Sequence, residues 1–404
     1  MTYDVNDISY VEMLFQQFYH TGSTVNGGVT RLGYSAEEDE MHEIFRRLNE
    51  QEGNFCTADE AGNSFAALQK DDKPYVLIGS HLDSVIDGGR YDGVSGILAG
   101  MMVLHWARRD GLQLPLRVGA FRCEESSNFG RSTIGSSLIT GRAPDDTAEL
   151  AGVDGRTIRE VFKAKGYSLH PAPIDGISRY LELHIEQGKV LQNEGFRVGI
   201  VQTIAGPRRF NLHLIGLAEH SGATPMNLRT DALCAAAELI LAVEKIGNRG
   251  AADKSVATVG VIHNQPNALN VIPGRVRLGV DLRGIRPESL DRMEKEMIQS
   301  AEEICARRGV TFFRERLGGK APTDMDSQMQ EDLLRAARRL KISAMPIVSG
   351  AGHDAMNFAG ICPTGMVFIP CDRGISHNKQ EFTPVESICD GAAVLYEYLK
   401  GAAK

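Results

Sequence analysis

Histidine and carboxylate residues recur in this chain in short clusters flanked by glycine. The first is SHLDSVIDGGRYDGVSG, residues 80–96, which holds His81, Asp83, Asp87 and Asp92. An imidazole ligates a metal ion through one ring nitrogen, and a nearby carboxylate commonly holds the other and fixes the tautomer. His81 and Asp83 have the types and spacing for that arrangement. His81 also reads as an ordinary hydrogen-bonded residue after a strand. Asp92 reads as a helix N-cap, or as a carboxylate whose two oxygens bridge two ions, with Gly93 allowing close backbone approach. Asp87 has no assigned role and reads as solvated.

A second cluster, FRCEESSNFG (121–130), carries Glu124 and Glu125. Paired glutamates are ordinarily a solvated turn. Beside a histidine site they can divide labour, one ligating a metal and the other acting as general base for its water. LELHIEQG (181–188) sets His184 among apolar residues, as a core histidine or a ligand, and GISHN (374–378) sets His377 in a small-residue loop. GAGHDA (350–355) is expected to open a helix, where the N–H groups of Gly350, Ala351 and Gly352 suit an anion. Three histidines and three carboxylates at strand ends favour a two-metal hydrolase site. Further on, AEHSGATPMNLRTD (218–231) carries His220, as a structural cap or a functional group. Asn270 and Arg283 lie in NALNVIPG and DLRG. Arg208, Arg209 and Arg283 read either as surface ion pairs or as bidentate clamps for a carboxylate.

These residues must be positioned by a sheet. PYVLIGS (74–80) and LPLRVGAFRC (114–123) are apolar runs that suit buried strands, with a helix predicted over 93–109 between them and RYLELHIEQG (179–188) a further strand. Strand–helix alternation implies a mixed sheet covered by helices, whose ligands bind beyond the carboxyl ends of the strands. Gly206-Pro207 reads as a hinge. After it come a strand (209–217), a helix (225–246, with Pro225 at an early helical position), strands at 255–264 and 274–284, a helix (287–308) and a strand (310–316). That order is the βαββαβ, ferredoxin-like unit. From about 320 the alternating pattern resumes and ends in a helix near 385–400. The expected fold is α/β: a mixed-sheet domain, residues 1–208 and 320–404, with a smaller domain inserted at 209–319.

Composition narrows the function classes. The 404 residues exceed what one core usually serves. The net charge of −8 leaves no cationic excess for phosphates and argues against nucleic acid as a partner. No apolar run approaches 18 residues, so no membrane span is expected. Seven scattered cysteines without CxxC pairing, and an N-terminus without an apolar h-region, read as reduced thiols in a cytoplasmic protein.

The motifs, in this order, resemble the M20 metallopeptidase-like superfamily. Within it the chain resembles the branch of N-carbamoyl-L-amino-acid hydrolases, allantoate and ureidoglycolate amidohydrolases and β-ureidopropionases. The motifs are GSHLDSVIDGGRYDG, EE, ELHIEQG, AEHSGATPM, NVIPG, DLRG, GAGHDAM and GISHN. Histidine within HIEQG is characteristic of that branch, where exopeptidases carry an acidic ligand. The resemblance implies a phosphorylase/hydrolase-like metal-binding domain with an inserted lid or dimerisation domain, and two divalent cations per subunit, zinc foremost, with manganese, cobalt or nickel as alternatives. One would take His81, Asp92 and His184, and the other Asp92, Glu125 and His377. It implies that Glu124 is general base for a metal-bridging hydroxide, that His220 steadies the oxyanion, and that Asp83 orients His81. Gln187, Arg209, Asn270 and Arg283 would hold the substrate. The implied reaction is hydrolysis of the carbamoyl or ureido C–N bond with release of ammonia, by a homodimer whose smaller domain is the dimer surface. The sequence departs from the branch after the second strand, where EESSNF lacks the usual glycine and arginine, while the arginine pair of GPRRF looks like allantoate enzymes. An aminoacylase or dipeptidase of the same superfamily, and a non-catalytic binding protein on the same scaffold, are the competing readings.

Overall fold

The computed structural model describes residues 3–70 and 73–402 and divides the chain into two compact units, Met1–Gln202 with Asp324–Lys404, and Thr203–Thr323. The larger unit is built on a mixed sheet. At its middle four parallel strands lie side by side in the order Leu116–Phe121, Tyr75–His81, Ile177–Ile185, Thr364–Ile369. Tyr75–His81 is buried along its whole length, as a strand covered on both faces must be. An antiparallel hairpin, Phe55–Ala58 with Ser64–Ala67, extends the sheet on the Leu116–Phe121 side.

The helix Val94–Arg109 is apolar almost all round because it is sandwiched, with the sheet on one side and the helices Val5–Tyr19 and Val385–Ala402 beyond it. Trp106, the chain's single tryptophan, is fully buried there and donates from Nε1 to Asp7 at 3.1 Å. The N-cap of this helix is Gly93 in a left-handed conformation (φ +67°), and no side chain caps it. Asp92 is therefore not a capping residue. A Cβ at position 93 would stand 2.6 Å from the His81 ring, so glycine is needed for space as well as for backbone sign.

His42, on the helix Ala36–Gln51, is buried with Nδ1 2.8 Å from Ser64 Oγ. Burial pushes its pKa well below the ordinary imidazole value. The unfolded chain therefore takes up this proton first. Its contribution is intact above about pH 6.5 and falls by about 1.4 kcal/mol per pH unit below that, down to the folded-state pKa. Urea unfolding of the metal-free chain between pH 5 and 7 is expected to show this slope, and His42→Gln to flatten it by one proton.

The smaller unit runs strand Gly206–Ile215, helix Ala232–Gly250, strands Val256–Gln265 and Arg275–Gly284, helix Pro287–Arg308 and strand Thr311–Gly319. The strands form an antiparallel sheet, with Thr311–Gly319 and Val256–Gln265 at its edges and Gly206–Ile215 beside Arg275–Gly284 between them. This is the βαββαβ arrangement. Its core packs Phe210, Leu212, Leu214, Leu278 and Val280 of the sheet under Ala236, Leu239, Val243 and Met297 of the helices.

Two expectations for this unit are corrected. Its first helix begins at Ala232, because Asp231 accepts the N–H groups of Leu233 and Cys234, whereas Pro225 precedes only a short 3-10 turn, Met226–Leu228. Gly206 and Pro207 are strand residues, paired with Gly284 and Arg283, and not a free hinge. The seven cysteines are all free thiols. No helix of the described residues is long and apolar enough to cross a membrane.

Candidate metal centre

The carboxyl ends of the four parallel strands carry the clusters read from the sequence. His81 ends one strand, Glu124 and Glu125 follow the second, His184 lies near the end of the third, and the loop after the fourth carries His377. The ligand atoms of His81, Asp92 and His184 lie within 4.8 Å of one another, and so do those of Asp92, Glu125 and His377. Asp92 is common to both sets.

In the first set all three residues are buried. His184 Nδ1 is 2.9 Å from the Ile185 carbonyl, which can only accept, so Nδ1 carries the hydrogen and Nε2 is left to coordinate. Nε2 lies 2.9 Å from Asp92 Oδ1 and 3.4 Å from His81 Nε2. His81 Nδ1 faces Asp83 Oδ1 at 3.2 Å, which turns Nε2 toward Asp92 Oδ1 at 3.5 Å. Asp92 Oδ1 is itself buried without an aligned hydrogen-bond donor. Two imidazole rings and an unsatisfied carboxylate oxygen thus converge among buried side chains, where a compensating positive charge is favoured. Burial lowers the proton affinity of both rings, but Asp83 and Asp92 outweigh it at His81 and Asp92 outweighs it at His184, so both pKa values rise. This donor set fits a divalent cation.

The second set is more open. His377 is about half exposed, with Nε2 3.2 Å from Asp92 Oδ2 and 3.1 Å from Glu125 Oε1. These two carboxylates push its pKa up to about 11. Gln187 donates from Nε2 to Asp92 Oδ2 at 2.7 Å. Gln187 and His377 both have left-handed backbones (φ +57° and +54°), a conformation that costs free energy for residues other than glycine.

Asp83 does more than face His81. Its two oxygens accept the N–H groups of Glu124 (3.1 Å) and Glu125 (2.9 Å), so one buried carboxylate positions a ring and the glutamate pair together. Asn at this position offers only one accepting oxygen. Asp83→Asn is expected to weaken Mn²⁺ binding about ten- to a hundredfold, read by calorimetric titration of the chelator-stripped chain.

Glu124 is buried, 3.9 Å from His81 Nε2. Burial, reinforced by Glu125, Asp354 and Asp83 and opposed by His81, pushes its pKa well above the carboxylate range. Asp87 is not simply solvated, because its carboxylate accepts the Thr24 hydroxyl and its N–H donates to Thr30 Oγ1 at 2.9 Å.

The other predicted residues fall outside these two sets. The stretch before Ala355 opens only a four-residue helix, Ala355–Phe358, and the Ala351 N–H already donates to Ser349 Oγ at 3.2 Å. Gly350, Ala351 and Gly352 therefore lack the helix on which the anion reading depended. In the smaller unit His220 is exposed and its Nδ1 accepts the Gly222 N–H at 3.0 Å. Asn270 is exposed, and its carbonyl accepts the Ser221 N–H at 3.0 Å. Arg209 and Arg283 both approach Asp281, at 3.6 and 2.9 Å. Arg208 is largely buried and ion-paired with Asp291 at 2.7 Å and Glu294 at 3.0 Å.

Several buried polar residues around the centre went unread in the sequence. Glu182 lies on the same strand face as His184 and accepts the Ala355 N–H at 2.9 Å. Asp354 accepts the Ser136 hydroxyl, and His353 packs its ring 4.5 Å from that of His184. Glu381 is the most connected, accepting three hydrogen bonds. The period-2 spacing of Glu182 and His184 is a usable signal, and His353 and Asp354 lie within the GAGHDA motif; nothing in the local sequence marks Glu381.

Residues 77–401 match Peptidase family M20/M25/M40, and the chain belongs to that family. It is 37% identical over 397 residues, 95% of this chain and 97% of the relative, to an N-carbamoyl-L-amino acid amidohydrolase of Geobacillus stearothermophilus. It is 34% identical to the allantoate amidohydrolase of Escherichia coli K12, with 93% of each chain covered. A crystal structure of an amidase of the hydantoinase/carbamoylase family from Burkholderia multivorans superposes with a TM-score of 0.90 at 33% identity, covering 98% of both chains.

Proposed function

We propose that this chain is a two-cation amidohydrolase that cleaves the carbamoyl or ureido C–N bond of N-carbamoyl-L-amino acids or allantoate-like ureido acids and releases ammonia. The observation that carries the reading is the pair of three-ligand sets joined through Asp92, with the high-pKa carboxyl of Glu124 beside them. The names of the relatives support the substrate class.

His81, Asp92 and His184 hold one cation, and Asp92, Glu125 and His377 the other. When bound, such cations acidify water and polarise a carbonyl; nitrogen and oxygen ligands of this kind suit zinc first, and also manganese, cobalt or nickel. Glu124 takes the proton of the attacking water and returns it to the departing nitrogen. A carboxyl with raised proton affinity suits both transfers. Asp83 keeps the Glu124 and Glu125 backbone and the His81 ring in register. His220 stabilises the oxyanion. Because the Gly222 N–H occupies its Nδ1, the neutral ring carries its hydrogen on Nε2, free to donate. Gln187, Arg209, Asn270 and Arg283 orient the substrate, the arginines taking its carboxylate. The reading includes a cytoplasmic homodimer formed through the smaller unit, consistent with seven unpaired thiols.

The test is ammonia release from allantoate, ureidoglycolate, N-carbamoyl-L-amino acids and N-carbamoyl-β-alanine, with N-acetyl amino acids and dipeptides alongside. Activity on the ureido and carbamoyl compounds is expected. Hydrolysis of the acetyl or peptide substrates alone would replace this reading with an aminoacylase or peptidase.

A further inference from the structure

Glu381 lies four residues beyond His377 and is 5% exposed. Its Oε1 accepts the N–H groups of Tyr91 (2.8 Å) and Asp92 (3.0 Å), and its Oε2 accepts the Ser376 hydroxyl (2.8 Å). Ser376 Oγ in turn stands 3.1 Å from Asp92 Oδ2. A single buried carboxylate therefore grips the backbone of one cation ligand and the side chain of the residue immediately before another. Room for it is made at Gly89, where a Cβ would stand 2.1 Å from the Glu381 carboxyl carbon. Arg31, 1% exposed, reaches the Gly89 carbonyl at 3.4 Å and lends positive charge to the same place.

We propose that Glu381 is a positioning residue that locks the Asp92 loop to the His377 loop and thereby sets the affinity of the second cation set. The proposal rests on the two-cation reading above. His377 sits about half exposed on a left-handed backbone, so its loop does not hold that conformation by burial. Two of the three ligands of the second set, Asp92 and His377, depend on Glu381, against one of the first. The second site is the one the lock governs more strongly.

The test uses the full chain, stripped by chelation and titrated calorimetrically with Mn²⁺, as parent, Glu381→Gln and Ser376→Ala, with thermal unfolding of each. The parent is expected to take up two Mn²⁺ per chain. A parent that takes up none overturns the two-cation reading and the lock with it. Glu381→Gln is expected to weaken the second Mn²⁺ about ten- to a hundredfold, more than the first, and Ser376→Ala less steeply. Excess Mn²⁺ is expected to restore ammonia release, which a merely structural defect does not allow. Ser376→Ala, which removes one hydroxyl, decides the matter if Glu381→Gln fails to fold. Parent-like second dissociation constants in both variants overturn the lock. So does lost activity that excess Mn²⁺ leaves unrestored in a variant that melts like the parent.

Discussion

Glu124→Gln is expected to cut ammonia release roughly 10²- to 10⁴-fold, the usual contribution of a positioned general base, while KM and cation uptake stay near those of the parent. Glutamine keeps the size and the backbone contacts to Asp83, but it cannot accept a proton from water and return it to nitrogen. The environment suits such a transfer. Burial and the nearby Glu125, Asp354 and Asp83 carboxylates raise the proton affinity of Glu124 against the opposing pull of His81. Steady-state kinetics on the carbamoyl and ureido panel, with metal content measured on the same samples, separates the outcomes. Unchanged turnover would remove Glu124 from the chemistry. A variant that also loses its cations would make Glu124 a ligand instead.

The second large effect is expected on stability. Arg122 precedes the glutamate pair and is buried, as is Glu38 on the helix Ala36–Gln51. The guanidinium donates to Glu38 at 3.0 Å and to the Gly62 carbonyl at 2.8 Å. Glu38 also accepts the N–H groups of Tyr34 (2.6 Å) and Cys123 (2.8 Å), so this pair braces the turn from which Glu124 emerges. Arg122→Met leaves a buried carboxylate without its cation, a defect worth about 3–5 kcal/mol. Burial pushes Glu38 up to about 7 even with Arg122 alongside, and losing the cation raises it further. A folded-state pKa above the unfolded one favours the fold at low pH, and that benefit fades as pH climbs from about 4.5 through the folded value. Urea unfolding should therefore find the variant weaker at pH 8 than at pH 5.5. Adding Glu38→Gln should recover much of the loss at pH 8. Equal deficits at both pH values would mean that lost packing, rather than the unpaired charge, is the cause.

What was legible in the sequence is what short-range chemistry writes there. The continuous apolar run of Tyr75–His81 announces a strand covered on both faces. The helix Pro287–Arg308 has the bounds read for it because Pro287 opens it and Gly309, at φ +68°, closes it. The first helix of the smaller unit starts later than the sequence predicts because two start signals compete. Pro225 is the more conspicuous, but Asp231 supplies the hydrogen bonds. At the metal centre the motifs give residue types, and the parallel sheet brings them to one edge. The supporting residues escape because their partners are remote. Glu381 acts on backbone N–H groups 290 and 289 positions away, and Arg122 and Glu38 look, in sequence, like two surface charges.

The four strands that carry the ligands are adjacent in space but not in chain order, since the whole of Thr203–Thr323 is made between His184 and His377. On the ribosome His81, Asp92 and His184 emerge before the smaller unit, whereas Asp92, Glu125 and His377 are complete only after it. On the two-cation reading, the two candidate ligand sets are thus synthesised in two instalments. A chain stalled within the inserted unit contains the residues of the buried set but not His377 of the more open one.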